Sequence, residues 1–159
     1  MANITIITVG TLKEEYLRSA VDEYKKRLSQ YARVDEVNIK EERISNEDDK
    51  TDISRALNAE GEKILAAVPK GAAKIALCIE GKQYSSEELA SLVGRYCDKS
   101  GKLALIIGSS HGIAESVKSE CDSRISLSAL TFPHQLARVV LYEALYRSFT
   151  ILAGKKYHK

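Results

Sequence analysis

The C-terminal residues Lys155-Lys156-Tyr157-His158-Lys159 gather three ammonium groups, a phenol and an imidazole at one chain end. Lysines pair with phosphates, an aromatic ring stacks on a base, and an imidazole moves protons near neutral pH. A solvated basic tail that only aids solubility has the same composition. Two internal segments also carry chemical potential. Gly108-Ser109-Ser110-His111-Gly112 follows an apolar run, and small residues there expose main-chain amides to a ligand. It lacks the Gly-Lys-Ser/Thr ending of a P-loop and the spacing of a dinucleotide fingerprint, so a tight turn is the competing reading. Ser128-Ala129-Leu130-Thr131-Phe132-Pro133-His134 leads into a helix. Its hydroxyls either cap that helix or frame a pocket walled by main-chain groups. His134 is a ligand, a base or a helix-start residue bonded to backbone. His111, His134 and His158 lack metal-ligand spacing, and no metal is expected.

These segments are placed by an alternation of strands and helices. Asn3–Val9, Val34–Ile39, Ile75–Ile79, Leu103–Ile107 and Arg124–Leu127 read as strands. Apolar residues at helical spacing predict helices that carry Leu17 to Tyr31, Ile53 to Val68 and Leu89 to Cys97; a short helix is expected over Glu115 to Glu120, and Pro133, placed where a first helical turn tolerates it, starts one that runs to about Thr150. Ser85 and Glu88 have capping-box spacing. Gly61 is expected to weaken its helix and Gly81 to turn the chain. Glu41–Asp52 is acidic and poor in apolar residues, which predicts a solvated, mobile loop. Continuously apolar strands imply an α/β fold: a mostly parallel sheet with helices on both faces. Ligands bind such sheets beyond the strands' carboxyl ends. The segments after Ile79, Ile107 and Leu127 therefore matter most.

The last predicted helix carries only Arg138 and Glu143 as charges between Leu136 and Tyr146. A helix apolar nearly all round needs cover on several sides. One face fits the sheet, and the other predicts a homodimer partner; a central helix buried within one subunit is the alternative.

The chain's 159 residues suit one domain over 1–159. Residues 133–159 hold five basic residues against one acidic, or +4, and the remainder sums to −2 within the overall +2. A basic end attracts a polyanion. Three cysteines, Cys78, Cys97 and Cys121, form no C-x-x-C pair and argue against a disulfide framework. No apolar run has membrane-spanning length and the start lacks a signal-peptide layout, so a cytoplasmic protein without a membrane partner is expected.

Taken together, Val9-Gly10, the Gly108–Gly112 loop, Leu130-Thr131-Phe132-Pro133-His134, Arg138 to Glu143 with Tyr146-Arg147, and Tyr157-His158-Lys159 resemble the RlmH family. This is a family of SPOUT-class methyltransferases acting on a 23S rRNA pseudouridine. The resemblance spans the whole chain. It implies an α/β fold with a C-terminal trefoil knot, a homodimer, and S-adenosyl-L-methionine as methyl donor. It also implies methylation of N3 of a pseudouridine in helix 69 of 23S rRNA, on the assembled 70S ribosome. By matching motifs, Leu77, Gly108, Leu127, Ser128, Ala129, Leu130, Thr131 and Phe132 would bind the cofactor. His158 would be the base or proton relay and Tyr157 would position the target base. Arg138, Lys155, Lys156 and Lys159 would hold phosphate or stabilise charge. The family's loop commonly has two consecutive glycines. Here the second is Ser109, which a positive φ would strain. Two rival functions stand beside this one: a non-catalytic ribosome-binding protein using the basic tail, and a nucleotide-binding regulator using the Gly108 loop.

Overall fold

The computed structural model describes residues 1–158. Five strands, β1 (Ala2–Val9), β2 (Ala32–Ile39), β3 (Ala73–Gln83), β4 (Lys102–Ile107) and β5 (Ser123–Ser126), form one sheet in the order β2-β1-β4-β3-β5. Every pairing is parallel. Five helices accompany them: α1 (Glu15–Leu28), α2 (Lys50–Ala67), α3 (Ser86–Ser100), α4 (Glu115–Glu120) and α5 (His134–Leu152).

The alternation of side chains along a strand divides the core in two. Ile4, Ile6, Leu103, Leu105, Ile107 and Ile75 face one layer with Val21 of α1, Leu92 and Val93 of α3, and Leu141 and Leu145 of α5. Ile7, Val9, Ala104, Ile106 and Ala76 face the other layer with Ile64 of α2 and Val117 of α4. This is the expected sheet with helices on both faces. Polar punctuation also matches. Ser85 Oγ accepts from the Glu88 amide at 3.1 Å and Glu88 Oε2 accepts from the Ser85 amide at 2.8 Å, closing the capping box.

Several expectations change. β3 does not stop at Ile79: it continues to Gln83 through a register shift between Leu77 and Lys82. Gly81 lies within it, where a Cβ would stand 2.7 Å from the Ile125 amide nitrogen, so its small size serves close backbone approach. Gly61 is buried against Val117 and Ala114, where it lets α4 approach α2. The acidic stretch is a loop tied down by its own acids. Asp52 Oδ2 accepts from the Ser45 amide at 2.7 Å, Glu60 Oε2 from the Glu42 amide at 2.9 Å, and Glu42 pairs with Lys63 at 2.9 Å. α2 begins at Lys50, capped by Asp49, whose side chain accepts from the Thr51 amide.

Helix α5 lies against both α1 and α3 on the sheet. Arg138, Leu141, Tyr142, Leu145, Ser148, Phe149 and Thr150 are buried there. Much of its apolar circumference is thus covered within one chain. Val139, Val140, Ala144 and Ile151 remain half-buried, and Leu136 and Leu152 are exposed.

Candidate active site

The three segments singled out at the strand ends meet. The β3 irregularity (Leu77 to Glu80), the loop after β4 (Gly108 to Ile113) and the segment after β5 (Leu127 to Pro133) line one cavity of about 510 Å³. That volume is within the range of small-molecule sites. Leu77, Gly108, Leu127, Ser128, Ala129, Leu130, Thr131 and Phe132 all contribute to its wall, with His134 and Ala137 from the start of α5.

The glycine loop is shaped by Gly108. A Cβ there would lie 2.7 Å from the Gly112 carbonyl carbon and from Ile113 Cγ1. Ser109 and Gly112 form an antiparallel bridge, with the Gly112 amide donating to Ser109 O at 2.9 Å. Gly112 carries the turn's positive φ of 94°, and no residue other than glycine has a positive φ among those described. Ser109 is therefore unstrained, and its Oγ accepts from the His111 amide at 3.3 Å.

After β5, Ser128 does not cap α5. Its Oγ accepts from the Leu130 amide at 3.0 Å, and Ser126 Oγ donates to Ser128 O at 3.0 Å. Helix α5 starts after Pro133 with no side-chain cap at all, so Thr131 does not cap it either. Leu130 stands 73% exposed at the mouth, and Ile79 89%. His134 is partly desolvated and beside Arg138, and both effects push its pKa down.

The tail lies elsewhere. The cavity is at the start of α5, whereas the tail follows the helix end and turns back along it as far as Glu143, mid-helix. Tyr157 packs edge-on against Tyr146 (centroids 4.8 Å apart), under the Arg147 guanidinium at 4.7 Å, and donates its hydroxyl to Glu143 at 3.1 Å. His158 Nδ1 is 3.2 Å from Arg147 Nη1 and its Nε2 is 2.7 Å from Glu87 Oε1. Arginine only donates, so Nδ1 accepts and Nε2 carries the proton given to Glu87. Neither Tyr157 nor His158 lines the cavity of its own chain. Lys155 and Lys156 are exposed, and Lys159 lies outside the described residues.

Arg138 is only 1% exposed and does not face the cavity. Its Nη2 donates to the Val9 and Gly10 carbonyls at 3.2 and 3.1 Å, which fixes the end of β1 against α5. Its Nε is buried without a partner, and burial lowers its pKa. One turn on, Tyr142 donates to Glu36, which also pairs with Lys25 at 3.1 Å.

The sequence did not point to Glu87 as a partner of the tail, because α3 is remote in sequence. The Glu143–Arg147 pair, 2.6 Å long, joins successive turns of α5 at i,i+4 spacing. Among the described residues no cluster of three or more His, Cys, Asp or Glu side chains has a metal-binding arrangement, and no helix is long and apolar enough to cross a membrane.

This cavity can admit a small, mostly apolar ligand through main-chain groups. Its wall holds one lysine and one carboxylate, a poor match for a triphosphate. Comparison with known proteins agrees. The family model described as "Predicted SPOUT methyltransferase" matches residues 2–158. A Ribosomal RNA large subunit methyltransferase H from Clostridium novyi is 46% identical over 158 residues, 99% of both chains. One of the same name from Caldicellulosiruptor saccharolyticus is 44% identical over 156 residues, covering 98% of this chain and 99% of the relative. The crystal structure of a probable methyltransferase from Bordetella pertussis Tohama I superposes with a TM-score of 0.58 over 93% of this chain and 95% of that one. At 16% identity that likeness shows the fold alone. A family match across nearly the whole chain, with relatives this similar over their full length, makes the chain a member of the SPOUT methyltransferase family, alongside the relatives called RlmH.

Proposed function

We propose that this protein is a homodimeric enzyme that methylates N3 of a pseudouridine in helix 69 of 23S rRNA (position 1915 in the usual rRNA numbering). It acts on the assembled 70S ribosome in the cytoplasm, with S-adenosyl-L-methionine as donor. The observation that carries the reading is the convergence of three strand-end segments on one cavity, walled by small residues and main-chain groups. The relatives' shared name supports rRNA as substrate. The trefoil threading of the C-terminal half belongs to the same proposal.

The cavity fits the donor by its chemistry. Leu77, Ile107, Leu127 and Phe132 offer apolar cover for an adenine, and the turn around Ser128 presents main-chain groups to its edge. The cleft around Gly108 leaves room for close backbone approach. When bound, S-adenosylmethionine supplies a methyl carbon on a sulfonium sulfur. The chain's own task would be to present N3 to that carbon and to take up the N3 proton.

Proton removal is the task of a side chain. His158 takes it, its ring held as a defined tautomer by Arg147 and Glu87 until the tail engages RNA. Tyr157 positions the base, and Lys155, Lys156 and Lys159 bind phosphate. Because Tyr157 and His158 lie against the middle of α5 and the start of α3, off the wall of their own chain's cavity, the tail completes the cavity of a partner subunit. Arg138 works from beneath, holding the β1 end and α5 in register.

Calorimetry with S-adenosylmethionine tests the donor, and mass spectrometry of 23S rRNA from a deletion strain, before and after restoring this chain, tests the product. A single pseudouridine losing and regaining one methyl group is expected. No donor binding, or an unaltered rRNA, would sink the reading.

A further inference from the structure

The cavity wall contains just two formally charged side chains among the described residues, and they belong together. Lys118, from α4, extends its ammonium to the Glu80 carboxylate from the β3 irregularity. The pair is not an exposed ornament. The Lys118 side chain is only 14% exposed, whereas that of Glu80 is 52% exposed at the rim. The hydrogen bond to Lys118 holds the Glu80 carboxyl below the usual carboxylate range. The neighbouring charges are already occupied with one another, because Arg124 and Glu115 pair at 2.8 Å outside the cavity. Lys118 and Glu80 are paired with one another too, but theirs is the pair that lines the cavity and can be met by a ligand.

The backbone explains how they arrive there. Between Leu77 and Lys82, β3 leaves register with β5, and the extra residues carry Glu80 to the cavity side of α4. Without that irregularity a regular strand would hold residue 80 in the ladder. Val117, the residue before Lys118, is fully buried in the core beneath α4, which fixes the base from which the lysine reaches.

We infer that Lys118 and Glu80 form a clamp for the amino-acid end of the methyl donor, with Lys118 binding its α-carboxylate and Glu80 its α-ammonium. The inference rests on the reading of this cavity as the donor site. An amino-acid terminus carries one positive and one negative group on the same carbon. A lysine and a glutamate side by side present the complementary pair. Apolar wall and main-chain groups serve the adenosine, and the ion pair serves the one part of the ligand that remains a zwitterion at pH 7. Burial of Lys118 makes its contact stronger than a surface pair, whereas Glu80 at the rim contributes less. Binding exchanges one protein ion pair for two ligand contacts, so the net effect is modest, about tenfold in affinity or ~1.4 kcal/mol.

The test uses calorimetry on the full chain with three compounds: S-adenosylmethionine, S-adenosylhomocysteine and 5′-methylthioadenosine. The last keeps the nucleoside and lacks the amino-acid end. Lys118→Met should weaken the first two about tenfold and leave methylthioadenosine within about twofold. Glu80→Gln should also weaken the first two together, since both carry the ammonium. Lys118→Arg, which keeps the charge, should retain the preference for ligands with the amino-acid end. Equal losses for all three compounds would mean the pair merely shapes the cleft and would overturn the assignment. So would unchanged affinities, or a Glu80→Gln effect confined to the sulfonium ligand. An unmodified chain that binds none of the three would overturn the donor-site reading along with it, which separates the two failures.

Discussion

At Gly108 a single hydrogen decides whether the loop can close. The Gly112 carbonyl and Ile113 occupy the space a methyl group would need, and both are main chain or buried core. Gly108→Ala must push the loop open, an overpacking that costs roughly 1–3 kcal/mol. The expected result is a fall in melting temperature and loss of donor binding, read by thermal unfolding and calorimetry; a variant that binds as well as the parent would show that the loop yields freely. The glycine stood out in the sequence because it followed a buried strand. Its reason for being glycine did not, since the clash is with Gly112, folded back across a bridge. Arg138 shows the reverse limit. Its position in the motif was plain, but burial under the β1 carbonyls depends on how α5 lies across the sheet, and no local pattern encodes that.

Among the elements, the link between the 40–49 loop and α2 makes a pH-dependent prediction. Glu60 on α2 is 3% exposed and accepts from the Glu42 amide. Desolvation, reinforced by Glu41 and Glu42, raises its pKa in the folded state. A carboxyl with a raised folded pKa favours folding while protonated, and that contribution is lost as pH rises through the folded value. Glu60→Gln keeps an acceptor for the Glu42 amide and removes the charge. It should therefore melt close to the parent near pH 4 and above it at pH 7.5, by about 1 kcal/mol or roughly 2–4 °C. Melting curves across that range check it, and a gap independent of pH would refute it. Elements were the most legible level of this chain, since burial on a strand or helix leaves a period. The α3 capping box and the strand β4, buried on both faces, followed directly. The extension of β3 did not, because a bulge is defined by its partner strand and β5 is only 4 residues long. The firm anchoring of the acidic loop escaped for a similar reason: its acids bond to amides of the loop itself and of its flanks.

In the whole molecule, the cavity lies at the start of α5 while Tyr157 and His158 pack against Glu143 and Arg147 further along it, outside the cavity wall, and this separation makes a prediction about assembly. If the tail of one subunit serves the cavity of the other, two different defects can cancel in a mixed dimer. Ala129→Trp fills the cavity from an exposed position and should abolish donor binding without touching the tail. His158→Ala removes the proposed proton acceptor and leaves the cavity intact. Each homodimer should be inactive on ribosomes. Refolded together from denaturant so that subunits reassort, they form about half mixed dimers, in which one cavity is intact and is met by an intact tail. Activity should then return to about one quarter of the parent's, because half the dimers each have one working site. A tail that folds back on its own cavity gives a different pattern: every site would keep one defect, and mixing would restore nothing. The half-buried outer face of α5, with Val140, Ala144 and Ile151, supplies an apolar strip on which two such chains can meet. A helix that looked too apolar for one subunit is mostly accounted for by α1 and α3. The strip that they leave uncovered is where the partner of the proposed dimer would join the two halves of the proposed active site.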